Sequence, residues 1–259
     1  MMSENGGPAD ITDKLRRLFP DQEGFELHPF KVGSYNAVAG PCFQLPYNED
    51  TLGIILLNTP HFFETTFKKW IQMKKKSEET LEDFAKHFPS GPLSAFFNER
   101  FEEAIQMFGA QEVIVIRDSE LLPNRRPKIL MTTCGHVAGA AFFYHPPEEA
   151  LGIADSASSA KRRRAGVSLH PKYGGYFAYR GVFVFFNVRL PSDFKEERAP
   201  MLLDTVEKQE EAVRLFNTHW WDGRYRECGN PVEKYSDLQM KYFSTAPDKR
   251  WPVIAHWFE

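Results

Sequence analysis

Apolar residues recur along this chain with two different periods, one helical and one extended. Near the start, Ile11, Lys14, Leu15, Leu18 and Phe19 fall at helical spacing, and Asp10 or Thr12 is available to cap the first turn. The run TLGIILL, Thr51 to Leu57, closed by Asn58, Thr59 and Pro60, has the length and β-branched content of a buried strand. Helices are predicted over 62–73, 77–88 and 93–108, with Ser77, Glu79 and Glu82 offering capping chemistry to the second. EVIVIRD, Glu112 to Asp118, predicts another buried strand, and Ile129 to Thr132 a further short one. Between Val167 and Leu190, Gly174 and Gly175 mark a hairpin turn that leads into a strand over 179–188. The remainder is helical in pattern over 205–220, 237–243 and 249–257.

The interruptions matter as much as the runs. Pro123 to Lys128 holds two prolines and three basic side chains in six residues, so it must be an exposed loop. The segment Cys134 to Tyr144 is rich in glycine and alanine ahead of Phe142, Phe143 and Tyr144, which lets a backbone come close to another element or to a large planar ligand. Residues 146–166 have the composition of a surface loop, and Lys161 to Arg164 read as its solvated part. Strands separated by helices, with no repeat and no linker, predict one α+β domain over 1–259, its sheet largely antiparallel and flanked by helices. Residues 1–9 and about 150–165 are expected to be flexible.

A net charge of -3 and a charged fraction of 26% give no reason to expect nucleic acid or a membrane surface as partner. Cys42, Cys134 and Cys228 are odd in number and lack metal-site spacing, which suits reduced thiols; with no signal-like start and no long apolar run, a cytoplasmic location is expected. The 23 phenylalanines admit two explanations, a Phe-rich core or a flat apolar ligand.

Dinucleotide, P-loop, zincin, nucleophile-elbow and kinase signatures are all missing. What stands out instead is PNRRPKILMTTCGHVAGAAFFYH at 123–145, HPKYGGYFAYRG at 170–181, FNTHWWDGRYRECG at 216–229 and KYFSTAPDKR at 241–250. In order and spacing these stretches resemble the cblC-type cobalamin-processing family, over about residues 10 to 255. The resemblance implies a flavin-reductase or nitroreductase-like fold and removal of the upper axial ligand of cobalamin. Cyanide would leave by reduction with FAD or FMN, and an alkyl group by transfer to glutathione. It implies glutathione binding by Arg180, Arg226 and Arg250. It implies cobalamin contacts at Asp118, Ile129, Leu130, Met131, Thr132, His136, Phe143, Tyr144, His145, Ser168 and Tyr179. Ser168 and His145 stand where vertebrate members have cysteine and glutamine.

His136 lies in a His-Val-Ala-Gly segment similar to half of a cobalt-coordinating box, but Cys134 occupies the position of the carboxylate that would orient the imidazole, so His136 reads as a helix residue beside the ligand, and no protein ligand to a metal is expected. The resemblance further implies a homodimer through loop 123–128, with a cblD-type protein and methionine synthase as partners. Two other readings remain open from the residues: a non-catalytic cobalamin chaperone, and a flavin oxidoreductase of other specificity.

Overall fold

The computed structural model describes residues 6–76, 79–89, 91–145 and 164–258. The strands among them are β1 (Phe25–Lys31), β2 (Thr51–Asn58), β3 (Ile114–Arg117), β4 (Phe142–Tyr144), β5 (Val167–Leu169) and β6 (Ala178–Arg189). Four form an antiparallel sheet in the order β1-β2-β6-β3, and β4 pairs with β5 in a separate ribbon.

The unbroken apolar runs follow from a sheet covered on both sides. Leu52, Ile54 and Leu56 of β2, with Phe183 and Phe185 of β6, face an aromatic core built on α1 (Pro8–Leu18), α3 (Lys68–Lys74) and α5 (Pro92–Phe108). Their pleat neighbours Ile55, Val182 and Val184 face α2 (Val32–Val38) and α6 (Met131–Val137). Phe19, Phe25, Phe62, Phe67, Phe96 and Phe101 lie in the first core, with ring pairs such as Phe62 and Phe96 edge to face at 5.1 Å. Much of the phenylalanine surplus is therefore core packing.

Several expectations are corrected. Residues 129–132 are not a strand: Leu130 donates its N–H to Tyr35 Oη at 3.1 Å, and Met131 already begins α6, which satisfies its own backbone. Gly174 and Gly175 do not join paired strands, because β5 pairs with β4; His170 and Gly174 instead exchange two backbone hydrogen bonds of 2.8 and 2.9 Å in a tight loop. The second predicted helix is shorter, α4 (Leu81–His87), capped by Thr80, which accepts from the Asp83 N–H at 3.2 Å; Ser77 lies outside the described residues. The last segment winds as a tighter 3-10 helix, Trp251–Trp257. Pro8 and Ala9 belong to α1, and Ala165 exchanges two 2.8 Å hydrogen bonds with Asn217; residues 1–5 and 150–163 of the segments expected to be flexible lie outside the described residues. The remaining helices are α7 (Val206–Thr218) and α8 (Asp237–Ser244).

Strand β1 and helix α2 went unpredicted. Pro29 cannot donate to a ladder, which argues against a strand, and it is tolerated here because β1 is an edge.

Candidate functional site

An irregularity in β6, where Leu56 pairs with Gly181 and Leu57 with Tyr179, leaves Arg180 as the extra residue, and Tyr179 and Arg180 begin two different environments. Arg180 enters the aromatic side. Its guanidinium lies 4.9 Å from the Phe97 ring centroid, its Nε donates to Asn58 Oδ1 at 2.5 Å, and its Nη1 is 3.6 Å from Asp118 Oδ2. Nη2 is buried without a partner. Burial lowers the Arg180 pKa, and it raises that of Asp118 despite the nearby guanidinium.

Arg226 is held by the Gly175 carbonyl, and its guanidinium lies 4.8 Å from the Tyr225 ring and 5.1 Å from Tyr235. Arg250 donates through Nε to the Thr245 carbonyl at 2.9 Å and lies 5.1 Å from the Tyr242 ring. Tyr235 feels the charges of Arg226 and Arg180, while Tyr242 feels those of Arg250 and Arg180. Three arginines distant in sequence thus meet across one aromatic wall, with a single part-exposed carboxylate, Asp118, on Arg180. Such clustered cations with an unpaired buried N–H have the chemistry to hold an anion.

Tyr179 enters the other side of the sheet. Helix α6 packs there so closely that a Cβ on Gly135 would lie 2.3 Å from Tyr179 Oη. The small-residue segment serves this approach. Ser168 Oγ and Tyr179 Oη are buried and come near each other without closing a hydrogen bond. His136 accepts the Phe143 N–H on Nδ1 at 3.2 Å and sets its ring against Phe142 at 4.8 Å. Burial, aided by the charge of His145, lowers the His136 pKa, which favours the neutral imidazole. Phe143 pairs with Ser168 across the ribbon and lies 4.4 Å from the His145 ring. Leu130, Met131, Thr132 and Phe143 are half-buried around this shelf, and His145 is exposed.

Two of the expected contact side chains are committed elsewhere. Ile129 is packed into the core at 2% exposure, and Tyr144, also at 2%, accepts the N–H groups of Leu202 and Leu203 at 2.8 and 2.9 Å. They belong to two separate core clusters.

Glu26, His28 and His170 form the one group of potential metal ligands among the described residues, their ligand atoms within 4.8 Å of one another. Their protonation argues against a metal. His170 Nδ1 accepts the N–H groups of Lys172 and Tyr173 at 3.1 and 3.3 Å, so the ring proton sits on Nε2 and points at Glu26, 3.0 Å away. No lone pair is left there for an ion. Burial alone would raise the Glu26 carboxyl, but hydrogen bonds from His170 and His28 outweigh it and hold it well below its usual range. This network ties β1 to the loop whose Gly175 holds Arg226.

Sequence reasoning missed Asn58, Tyr235, Tyr242 and the Glu26–His170 pair. Asn58 reads as a turn signal closing an apolar run, and Tyr242 enters only as part of the stretch 241–250.

Fold and geometry together give a protein in which a cluster of arginines and a half-buried, partly apolar shelf start from neighbouring residues of one strand. The chain belongs to the family described as MMACHC, Methylmalonic aciduria and homocystinuria type C, whose model matches residues 24–254. It is 40% identical over 232 residues to the chicken (Gallus gallus) cyanocobalamin reductase / alkylcobalamin dealkylase, covering 89% of this chain and 90% of that protein. A Caenorhabditis elegans MMACHC-like protein is 35% identical over 267 residues, 100% of this chain and 97% of the other. The crystal structure of a C. elegans B12-trafficking protein, CblC, superimposes with a TM-score of 0.86 at 36% identity, covering 96% of both chains. No helix among the described residues is long and apolar enough to cross a membrane.

Proposed function

We propose that this chain processes cobalamins, removing the upper axial ligand by glutathione-dependent dealkylation of alkylcobalamins and flavin-dependent decyanation of cyanocobalamin. The observation that carries the reading, beside family membership, is that Arg180, Arg226 and Arg250 share the Tyr235 and Tyr242 wall, with one buried Arg180 N–H left unpaired. A protein that only carried cobalamin would have no use for clustered, half-buried cations of this kind.

Glutathione brings two carboxylates and a thiol. The arginines hold the carboxylates and, by their charge, favour the thiolate. The thiolate sulfur attacks the alkyl carbon on cobalt; the new bond is a thioether, and the cobalt–carbon pair stays on the metal as cob(I)alamin. The corrin lies along Leu130 to Thr132, Phe143, His145, Ser168 and Tyr179, with His136 as a neutral neighbour and Asp118 at the Arg180 edge. Ile129 and Tyr144 stay in their core clusters.

A flavin, FAD or FMN, when bound supplies the electrons that free cyanide, and the arginine receptor suits its phosphate as it suits a carboxylate. The antiparallel sheet with helices on both faces fits a flavin-reductase or nitroreductase-like frame. The exposed loop at 123–128, with Arg125 at φ 64, suits a homodimer contact. Action in the cytoplasm, with handover to a cblD-type protein and methionine synthase, completes the reading.

The test is the visible spectrum of methylcobalamin mixed with protein and glutathione, in the dark and without oxygen. Wild type forms cob(I)alamin, and Arg180→Gln slows this by about ten- to a hundredfold, as expected for losing a charged hydrogen-bonding group. Equal rates in the two would remove the arginine from the mechanism.

A further inference from the structure

The arginines account for charge in the receptor but not for its other unpaired donors. Tyr242 is completely buried, yet its hydroxyl has no partner. Its ring is fixed by Phe63 at 4.9 Å and Phe243 at 5.5 Å, with the Arg250 guanidinium 5.1 Å from its centroid. One turn earlier on the same face of α8, Gln239 is buried at 1% exposure with Nε2 also unpaired. With Arg180 Nη2, three buried donors in the Arg180–Arg250 region lack acceptors. Folding normally avoids this, since a buried unpaired donor costs the hydration it gave up.

We propose that Tyr242 is a further binding residue of the receptor, donating its hydroxyl hydrogen to a carboxylate oxygen of glutathione that Arg180 and Arg250 attract. This rests on the glutathione reading above and deepens it, assigning a directional contact where the arginines alone give mainly charge. A cation draws any anion; a fixed neutral donor selects one whose oxygen reaches it. The phenol suits the task because burial raises its pKa to about 12 against the pull of Arg250 and Arg180, so the hydroxyl keeps its proton.

Tyr242→Phe removes the hydroxyl and leaves the ring packing. If the hydroxyl serves a ligand, ligand-free Tyr242→Phe melts at or above the wild-type temperature, since an unpaired buried group is gone, while the rise in melting temperature caused by glutathione shrinks. In methylcobalamin dealkylation the KM for glutathione rises about tenfold with kcat little changed, the scale of one hydrogen bond to a charged group. Glutathione amidated at glycine lacks that carboxylate and cysteinylglycine lacks the one on the γ-glutamyl residue; with the peptide missing the carboxylate in question, wild type and variant coincide.

A lowered melting temperature of the ligand-free variant with an unchanged glutathione KM would overturn the proposal in favour of a packing role. An equal loss on all three thiols would overturn the carboxylate as acceptor. Wild type that neither binds nor uses glutathione would sink the parent reading, and this one with it.

Discussion

Asn58 decides where Arg180 sits. It is fully buried, and its Oδ1 takes the Arg180 Nε hydrogen at 2.5 Å while Nδ2 donates to the Thr59 carbonyl at 3.3 Å. Asn58→Ala would leave a second unpaired N–H on a buried guanidinium. The expected cost is about 1–3 kcal/mol in chemical denaturation, with a raised KM for glutathione, because Arg180 loses its anchor but not its charge. An Asn58→Ala variant with wild-type stability would mean that the arginine is positioned by Phe97 and Asp118 alone. The arginines entered the sequence reading only through the family resemblance of the stretches that hold them. The part played by Asn58 was not legible, since a polar residue after an apolar run looks the same whether it turns the chain or anchors a cation.

Helix α6 is placed by what it lacks. Gly135 lets the helix rest on Tyr179, and a methyl group there would lie 2.3 Å from the phenol oxygen, closer than real Cβ contacts come. Gly135→Ala must displace Tyr179. The expected loss is about 1–3 kcal/mol of stability by denaturant titration, together with weaker uptake of cobalamin measured from its spectrum. The run of small residues announced a close approach, and the structure has one. The preceding apolar stretch at 129–132 misled, because four apolar residues fit a strand or the entry to a short helix equally well, and only the bond from Leu130 to Tyr35 settles which. Strand β1 escaped notice for a related reason: Pro29 speaks against a strand until the sheet order shows it at an edge.

Across the whole molecule, the arginine cluster and the half-buried shelf start from neighbouring residues of β6, Arg180 and Tyr179, and the Glu26–His170 bond ties the sheet's edge to the loop behind Arg226. Glu26 has a folded pKa below its unfolded value of about 4.3, so its contribution is fully present above that pH and is lost as pH falls toward the folded value. Glu26→Gln is therefore less stable than wild type by about 1–3 kcal/mol at pH 7, and the gap narrows below about pH 4 in urea titrations. A gap that stays constant with pH would show that charge plays no part in the tie. The central claim concerns chemistry, and the product tests it most directly. Methylcobalamin with a deuterated methyl group is incubated with protein and glutathione in the dark without oxygen, and the thiol pool is analysed by mass spectrometry. The account predicts deuterated S-methylglutathione in step with cob(I)alamin; cobalamin bound in its base-off form with no labelled thioether would contradict it and leave a carrier in place of an enzyme.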